Sequence, residues 1–182
     1  MTEPTLSKTA VFLGRFSPFQ KGHASIVNMM IEKYGYGGCL VLIGSSNTLN
    51  KRTPYTFEQR EEMIRKVYPE IKIMALPDGK PGLVCFDGTT NNQWLDSIEK
   101  IQEGLNTKFV FFGGSEEDLK ILAERFQTEI AVDRNKTPGL SATRVREALL
   151  HDDSRTVNEL LDSKIIPLAK KYYKEFIKKD EK

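Results

Sequence analysis

The sequence predicts an α/β fold, a doubly wound sheet of five parallel strands covered by helices and followed by C-terminal helices. Three observations lead to this prediction. Short apolar, β-prone runs alternate with segments of helical periodicity, which is typical of a parallel sheet covered on both faces. The 182 residues suffice for one domain with a well-filled core. Polar and glycine-rich segments follow the apolar runs, as expected where the strands of such a sheet end.

Each predicted strand is a short apolar run bounded by turn-forming or polar residues. In order the runs are TAVFL, CLVLI, IKIMA, KFVFF and EIAV, at residues 9–13, 39–43, 71–75, 108–112 and 129–132. Four of them lead into segments that combine small and polar residues: GRFSPFQKGH, GSSN, GGS and PGLSATR. Because ligands of doubly wound sheets bind beyond the carboxyl ends of the strands, we expect these segments to share one edge.

Helices are predicted between and after the strands, at about residues 22–33, 57–68, 91–98, 116–126 and 142–150, with two more at 156–162 and 169–179. The first has an apolar face that contains Ile26, Val27 and Ile31. The second opens with Thr56 followed by Gln59, the pattern of a capping box. We expect one domain over residues 1–182, with its core at about 9–150 and a helical C-terminal segment at about 155–179.

The composition excludes several classes of protein. A net charge of +2 gives no global argument for nucleic acid as a partner. No apolar run approaches the ~20 residues of a membrane span, and the N-terminus lacks a signal core, so we expect a cytoplasmic protein. Cys39 and Cys85 are far apart and flanked by apolar residues, which indicates buried, reduced thiols and no metal site.

The segment GRFSPFQKGH, residues 14–23, has the features of an anion site. Gly14 allows a sharp turn off the strand, and Pro18 restricts that turn. Gly22 opens the next helix, whose free N–H groups and dipole attract negative charge. Three side chains add positive charge or donors: Arg15, Lys21 and His23. The alternative is a plain strand–turn–helix junction with solvated cations.

A second helix N-terminus carries two arginines. Ser141 and Thr143 precede Arg144 and Arg146, again in an arrangement that suits an anion. Residues two apart on a helix point in different directions, so the two arginines are not expected to share one target. The alternative is a capped helix with exposed arginines.

Both segments resemble the signatures of the nucleotidyltransferase superfamily. LSATRVR, residues 140–146, matches ISxTxxR, and the first segment matches GxFxPxHxGH through Phe16, Pro18, Gly22 and His23. Gln20 stands where the first histidine of the HxGH box is expected. The resemblance implies the Rossmann-like fold of that superfamily.

Further segments resemble those of archaeal-type nicotinamide mononucleotide (NMN) adenylyltransferases. GRFSPFQKGH resembles their GRxxPFHxGH, and KRTPYTFEQR, residues 51–60, resembles their R-[DN]-P-F-T-x-x-E-R with offset details. FFGGS resembles their strand-four loop, and the spacing of their nicotinamide pocket is matched by Asp87, Asn91 and Trp94. The resemblance covers about residues 10–150 and is weak after Ser154.

This resemblance implies transfer of AMP from ATP to the 5′-phosphate of NMN, giving NAD and pyrophosphate, with Mg²⁺ carried on the ATP. A phosphate with its second pKa near ~6 is already ionised at neutral pH and needs no general base. The reaction needs alignment of two polyanions and neutralisation of the growing charge. Its partners would be small molecules, not nucleic acid or membrane, and a homo-oligomer is expected because the family often forms multimers.

The resemblance also implies roles for individual residues. The implied catalytic residues are His23, Arg146 and Gln20. The implied ATP contacts are Gly14, Arg15, Phe16, Gly22, His23, Gly113, Ser141, Thr143 and Arg146. The implied NMN contacts are Asp87, Asn91, Trp94 and Arg52. Arg60 is a further candidate for a phosphate contact, with an ion pair as its alternative.

Two of these assignments have stated alternatives. Gln20 can donate a hydrogen bond to phosphate through its amide, but it cannot work as an acid or base. The tryptophan ring of Trp94 can stack on a cationic pyridinium, whereas a core aromatic is the ordinary interpretation.

The function has alternatives as well. The acceptor could be phosphopantetheine, a flavin mononucleotide or an alcohol phosphate, with adenylyl or cytidylyl transfer. A catalytically weak nucleotide sensor is the alternative that Gln20 raises. The sequence leaves open the use of deamidated NMN and the role of the basic C-terminal helix.

Overall fold

The computed structural model describes residues 5–79, 90–131 and 141–182. Within these residues five parallel strands form one sheet in the order β3-β2-β1-β4-β5. The strands are β1 Lys8–Gly14, β2 Cys39–Gly44, β3 Lys72–Leu76, β4 Lys108–Gly113 and β5 Gln127–Ile130. The order of connection reverses between β1 and β4, so the sheet is doubly wound and the predicted fold class is confirmed.

The described helices are α1 Lys21–Tyr34, α2 Phe57–Val67, α3 Asn91–Gly104, α4 Glu116–Leu119, α5 Ala142–Leu150, α6 Ser154–Leu160 and α7 Ile166–Asp180. The predicted capping box at α2 is confirmed, since the N–H of Gln59 donates to Thr56 Oγ1 at 3.3 Å and Gln59 Oε1 accepts from the N–H of Thr56 at 3.0 Å. Across the described part of the chain, no helix is both long and apolar enough to cross a membrane.

The sheet separates two apolar clusters. Strand side chains alternate between the faces, so Val41 and Ile43 join one cluster while Leu40 and Leu42 join the other. The first cluster packs against α1, α2, α5, α6 and α7, and the second against α3 and α4. All of β2 is buried, as expected for an inner strand covered on both faces.

Two predicted elements differ from the structure. The helix expected at 116–126 is α4 followed by a 3₁₀ turn at Leu122–Glu124, because main-chain bonds there run three residues back. This tighter winding directs Leu119 and Leu122 into the second cluster. The fifth strand begins two residues earlier than expected, because β4 pairs from Val110↔Gln127 to Gly113↔Ile130.

The environment of Cys39 agrees with the expectation of an inert thiol. The residue is 1% exposed, and its Sγ–H donates to the Gly35 carbonyl at 3.1 Å. Burial raises the pKa of the Cys39 thiol to about 11, so the reactive thiolate is scarce at neutral pH. Cys85 lies outside the described residues.

We predict that Gly14→Ala destabilises the fold. A Cβ at this position would lie 2.9 Å from Phe16 Cε1 and 3.0 Å from Phe16 Cζ, and that ring is 1% exposed and enclosed by the core. The expected loss is about 1–3 kcal/mol of unfolding free energy, measured by urea denaturation.

Gly37→Ala is the matched control, because a Cβ there would meet nothing within 4 Å. Equal denaturation midpoints for the two variants would contradict the prediction that a Cβ at position 14 clashes with the Phe16 ring.

Candidate functional site

The structure brings the two signature segments into direct contact. Arg146, on α5, donates from Nη1 to the carbonyl oxygen of Ser17 at 2.8 Å, across a sequence separation of 129 residues. A second donor, Nη2, bonds Thr143 Oγ1 at 3.2 Å. The loop after β1 and the N-terminal turns of α5 therefore form one surface at the carboxyl edge of the sheet, as the sequence predicted.

Positive charges converge on this surface. Burial lowers the pKa of Arg146, and the nearby charges of Arg52 and Arg15 lower it further, while Tyr173 and Tyr55 act in the opposite direction. The side chain of Arg146 is half-buried, and those of Arg15 and Arg52 are exposed. Within the described residues, no carboxylate is among the groups that influence Arg146. Three neighbouring guanidinium groups favour a polyanion as ligand.

Arg52 owes its position to a local turn. The N–H groups of Arg52 and Thr53 both donate to Asn50 Oδ1 at 2.9 Å, and Asn50 and Thr53 form an antiparallel bridge. The turn lies between β2 and α2, and its arginine is close enough for its charge to lower the pKa of Arg146.

His23 is held in one orientation by aromatic rings. It is 8% exposed, and its ring centroid lies 5.1 Å from that of Phe16, 5.5 Å from Phe19 and 5.9 Å from Phe12. Its Nδ1 accepts the N–H of Gln20 at 3.1 Å. In the neutral imidazole the proton is therefore on Nε2, which makes Nε2 a donor.

Gln20 precedes the first turn of α1 and is 3% exposed. Its side chain forms a capping box with His23, whereas the Oγ of Ser17, which is 2% exposed, is buried and has no hydrogen-bond partner among the described residues. Unpaired buried polar atoms are rare in folded proteins and often mark a place that water or a ligand completes. Both residues stand where the sequence predicted a phosphate site, although no signal singled out Ser17.

The remaining predicted ATP residues differ in accessibility. Ser141 Oγ caps α5 by accepting the N–H of Arg144 at 3.2 Å, and Thr143 is exposed. Gly22 is half-buried, and Gly113 ends β4 with Leu119 packed against it. The ring of Phe16 is enclosed, so only its main chain can meet a ligand.

The two arginines of α5 have different targets, as predicted from their spacing. Arg144 lies 3.8 Å from Glu159 Oε2, whereas Arg146 reaches Ser17. Lys21, another predicted cation, donates to the main-chain carbonyl of Asn158 at 3.0 Å.

The prediction for Arg60 is wrong in both of its forms. The side chain is 0% exposed and donates to main-chain carbonyls, so it neither faces the surface nor forms an ion pair among the described residues. Tyr55 and Tyr173, which flank Arg146, were not identified from the sequence, because tyrosines in apolar segments look like ordinary core residues.

Two of the predicted NMN residues, Asn91 and Trp94, lie at the start of α3. Trp94 is half-buried in the first turn and packs against the second apolar cluster, which Leu13 also contacts. Asn91 is exposed at the first helical position, and Asp87 lies outside the described residues. The ring thus contributes to the core and keeps an accessible part, and its contact with a ligand stays a prediction.

The described residues around these groups do not form a metal-binding cluster. In residues 5–79, 90–131 and 141–182, no three His, Cys, Asp or Glu side chains lie close enough together to hold an ion. The chemistry that the surface offers is positive charge and hydrogen-bond donation to a polyanion.

Comparisons with known proteins agree with this geometry. The model of the cytidylyltransferase-like family matches residues 11–148. A nicotinamide-nucleotide adenylyltransferase of Thermococcus sibiricus is 27% identical over 164 residues, which are 88% of this chain and 82% of the relative. A phosphopantetheine adenylyltransferase of Bacteroides thetaiotaomicron is 38% identical over 71 residues, 37% of this chain and 44% of the relative.

Some matches cover only part of the relative. A protein of Aeropyrum pernix is 46% identical over 57 residues, so the chain spans 33% of that relative's length. Among solved structures, a bifunctional NMN adenylyltransferase/ADP-ribose pyrophosphatase of Francisella tularensis has a TM-score of 0.64 at 20% identity. The match covers 97% of this chain and 53% of that one, and it supports the fold.

We predict that Arg146→Ala weakens binding of inorganic tripolyphosphate about tenfold or more, because a charged, half-buried donor is lost. Isothermal titration calorimetry measures the effect. Arg144→Ala is the matched control from the same helix and should change the affinity less than about twofold. Equal losses in the two variants would contradict a specific role for Arg146.

Proposed function

The chain belongs to the cytidylyltransferase-like family and is a nucleotidyltransferase, and on that premise we propose that it transfers AMP from ATP to the 5′-phosphate of NMN. The products would be NAD and pyrophosphate. The observation that carries the proposal is the convergence of Arg15 and Arg52 on Arg146, whose charge no carboxylate of the described residues influences. The choice of substrates is supported by the similarity to an archaeal nicotinamide-nucleotide adenylyltransferase, which is 27% identical over 88% of this chain.

The proposed reaction is a direct displacement. A phosphate oxygen of NMN forms a bond to the α-phosphorus of ATP, and the bond from that phosphorus to the bridging oxygen of the leaving pyrophosphate breaks. The electron pair of the broken bond goes to pyrophosphate. Because the attacking phosphate is already ionised at neutral pH, no residue has to remove a proton and no covalent intermediate forms.

The residues of this surface would stabilise charge. The N-terminus of α1 and the Nε2–H of His23 are directed, in this proposal, at the phosphates of ATP. Arg146 and Arg15 would neutralise the charge that grows on the departing pyrophosphate. Gln20 would supply a neutral amide donor, which suits a reaction that needs donors rather than proton transfer.

Magnesium would arrive as part of the substrate MgATP. The described residues offer no cluster of carboxylates for a resident ion, and Mg²⁺ is commonly held by phosphates and water with few protein ligands. The protein's contribution would then be the placement of cations around a triphosphate that already carries its metal.

The nicotinamide end of NMN would lie at the start of α3. The accessible part of the Trp94 ring can stack on the cationic pyridinium, and Asn91, with Asp87, can bond its carboxamide or ribose. Arg52 would bind the acceptor phosphate next to Arg146, which aligns it with the α-phosphorus.

A second acceptor has support from one comparison. The similarity to a phosphopantetheine adenylyltransferase favours the same transfer of AMP to a different phosphate. A half-buried tryptophan at the start of α3 favours a flat aromatic cation over a flexible chain, so NMN is the first choice.

The function is tested by incubating the protein with MgATP and one acceptor at a time. The panel comprises NMN, its deamidated form, phosphopantetheine, flavin mononucleotide and glycerol phosphate, and the assays measure pyrophosphate and dinucleotide. We expect NAD from NMN. If the protein binds ATP but releases no pyrophosphate with any acceptor, the proposed enzyme activity is wrong and the protein is a nucleotide sensor.

We predict that Trp94→Ala raises the KM for NMN about tenfold, since stacking on the pyridinium is lost, and leaves the KM for ATP within about twofold. Steady-state kinetics measure both constants. Trp94→Phe, which keeps an aromatic ring and most of the packing, controls for stability and should retain part of the affinity. An effect confined to the KM for ATP would contradict the assignment of Trp94 to the NMN site.

A further inference from the structure

Arg60 is a fully buried cation whose partners are main-chain carbonyls. Its Nη1 donates to the carbonyls of Arg15 at 3.0 Å and Gly44 at 2.9 Å, and Nη2 donates to that of Ser45 at 3.0 Å. Its Nε donates to the carbonyl of Thr56 at 3.2 Å. One guanidinium therefore joins the loop after β1, the end of β2 and the residue that caps α2.

The charge of Arg60 persists at neutral pH. Burial lowers the pKa of its guanidinium to about 10, with Glu58 and Arg15 as the next largest and opposing influences. Removing a cation from water without a bonded carboxylate is costly, and an apolar side chain would fill such a site at lower cost. Stability alone therefore does not explain an arginine at this position.

Two of the segments that Arg60 joins have unusual main-chain conformations. Phe16 has a φ of 50° and Ser45 a φ of 46°, in the left-handed region that residues other than glycine rarely adopt. The Arg15 carbonyl belongs to the peptide unit before Phe16, so a bond to that oxygen restrains rotation about φ of Phe16. Such conformations persist only where the surrounding structure holds them.

The same loop carries two components of the candidate site. Arg15 contributes one of the converging charges, and Ser17, one residue after Phe16, accepts the bond from Arg146. A change in the Arg15–Phe16 peptide unit would therefore move the side chain of Arg15 and the carbonyl that orients Arg146.

We propose that Arg60 is a positioning residue, which fixes the loop after β1 so that the guanidinium groups of Arg15 and Arg146 converge on the phosphates of the ligand. The role in catalysis rests on the proposed function, whereas the effect on polyanion binding does not depend on the acceptor. Arg60 does not itself touch the ligand, because its side chain is enclosed.

Arg60→Lys tests the proposal, because an ammonium keeps the charge but cannot span carbonyls from three segments in a planar fork. We expect the affinity for inorganic tripolyphosphate to fall about tenfold. The kcat for pyrophosphate release should fall about tenfold, with the KM for NMN within about threefold, because α3 receives no bond from Arg60. Amide hydrogen exchange at 15–17 and 44–46 should quicken.

Two controls on α2 separate positioning from stability. Arg65→Lys changes an arginine that pairs with Glu61 at 2.8 Å near the surface and should leave tripolyphosphate affinity unchanged. Met63→Ala removes a fully buried side chain and should lower stability without changing that affinity, measured well below its unfolding midpoint.

Arg60→Gln is measured in the same way if Arg60→Lys does not fold. Tripolyphosphate affinity and loop exchange like those of Met63→Ala in the folded variant would overturn the proposal. So would the failure of both Arg60 variants to fold while Met63→Ala folds. A wild-type protein that binds tripolyphosphate but transfers no AMP would reject the proposed function alone, since the Arg60 comparison could still be made.

Discussion

The candidate site depends on one enclosed guanidinium. Arg60 bonds four main-chain carbonyls from three segments at the carboxyl edge of the sheet, so the loop after β1, the end of β2 and the start of α2 are held as one unit. Arg146 extends this unit to α5 through its bond to Ser17. The rigid strands beneath supply the remaining constraint, because their parallel arrangement places every strand–helix junction at the same edge.

The charges at this edge suit the chemistry of phosphates. Arg15 and Arg52 both repel Arg146, and burial leaves the charge of Arg146 poorly screened by water. A bound polyanion would relieve this repulsion. The C-terminal helix takes part in the arrangement, since Tyr55 donates to the Ala169 carbonyl and its ring contacts Tyr173, so α7 covers one side of the half-buried Arg146.

Transfer of AMP to a phosphate requires hydrogen-bond donors, cations and alignment of the two substrates, but no proton transfer. A glutamine at position 20 fits the proposal because its amide can donate a hydrogen bond. His23 is oriented by aromatic rings and by the N–H of Gln20. That environment favours a fixed donor over a proton carrier. Trp94 joins the second apolar cluster to the same end of the sheet, so the packing of that cluster would also orient the acceptor.

The sequence alone determined the alternation of strands and helices, the capping box of α2 and the two segments with anion-binding features, because these depend on residues close together in the chain. It could not determine the break after α4, the register of β5 or the partners of Arg60, whose place on a polar helix looks like that of an exposed arginine. Those features depend on contacts between residues far apart in sequence. The break after α4, the register of β5 and the partners of Arg60 are therefore determined by the tertiary structure, which brings residues from distant parts of the sequence into contact.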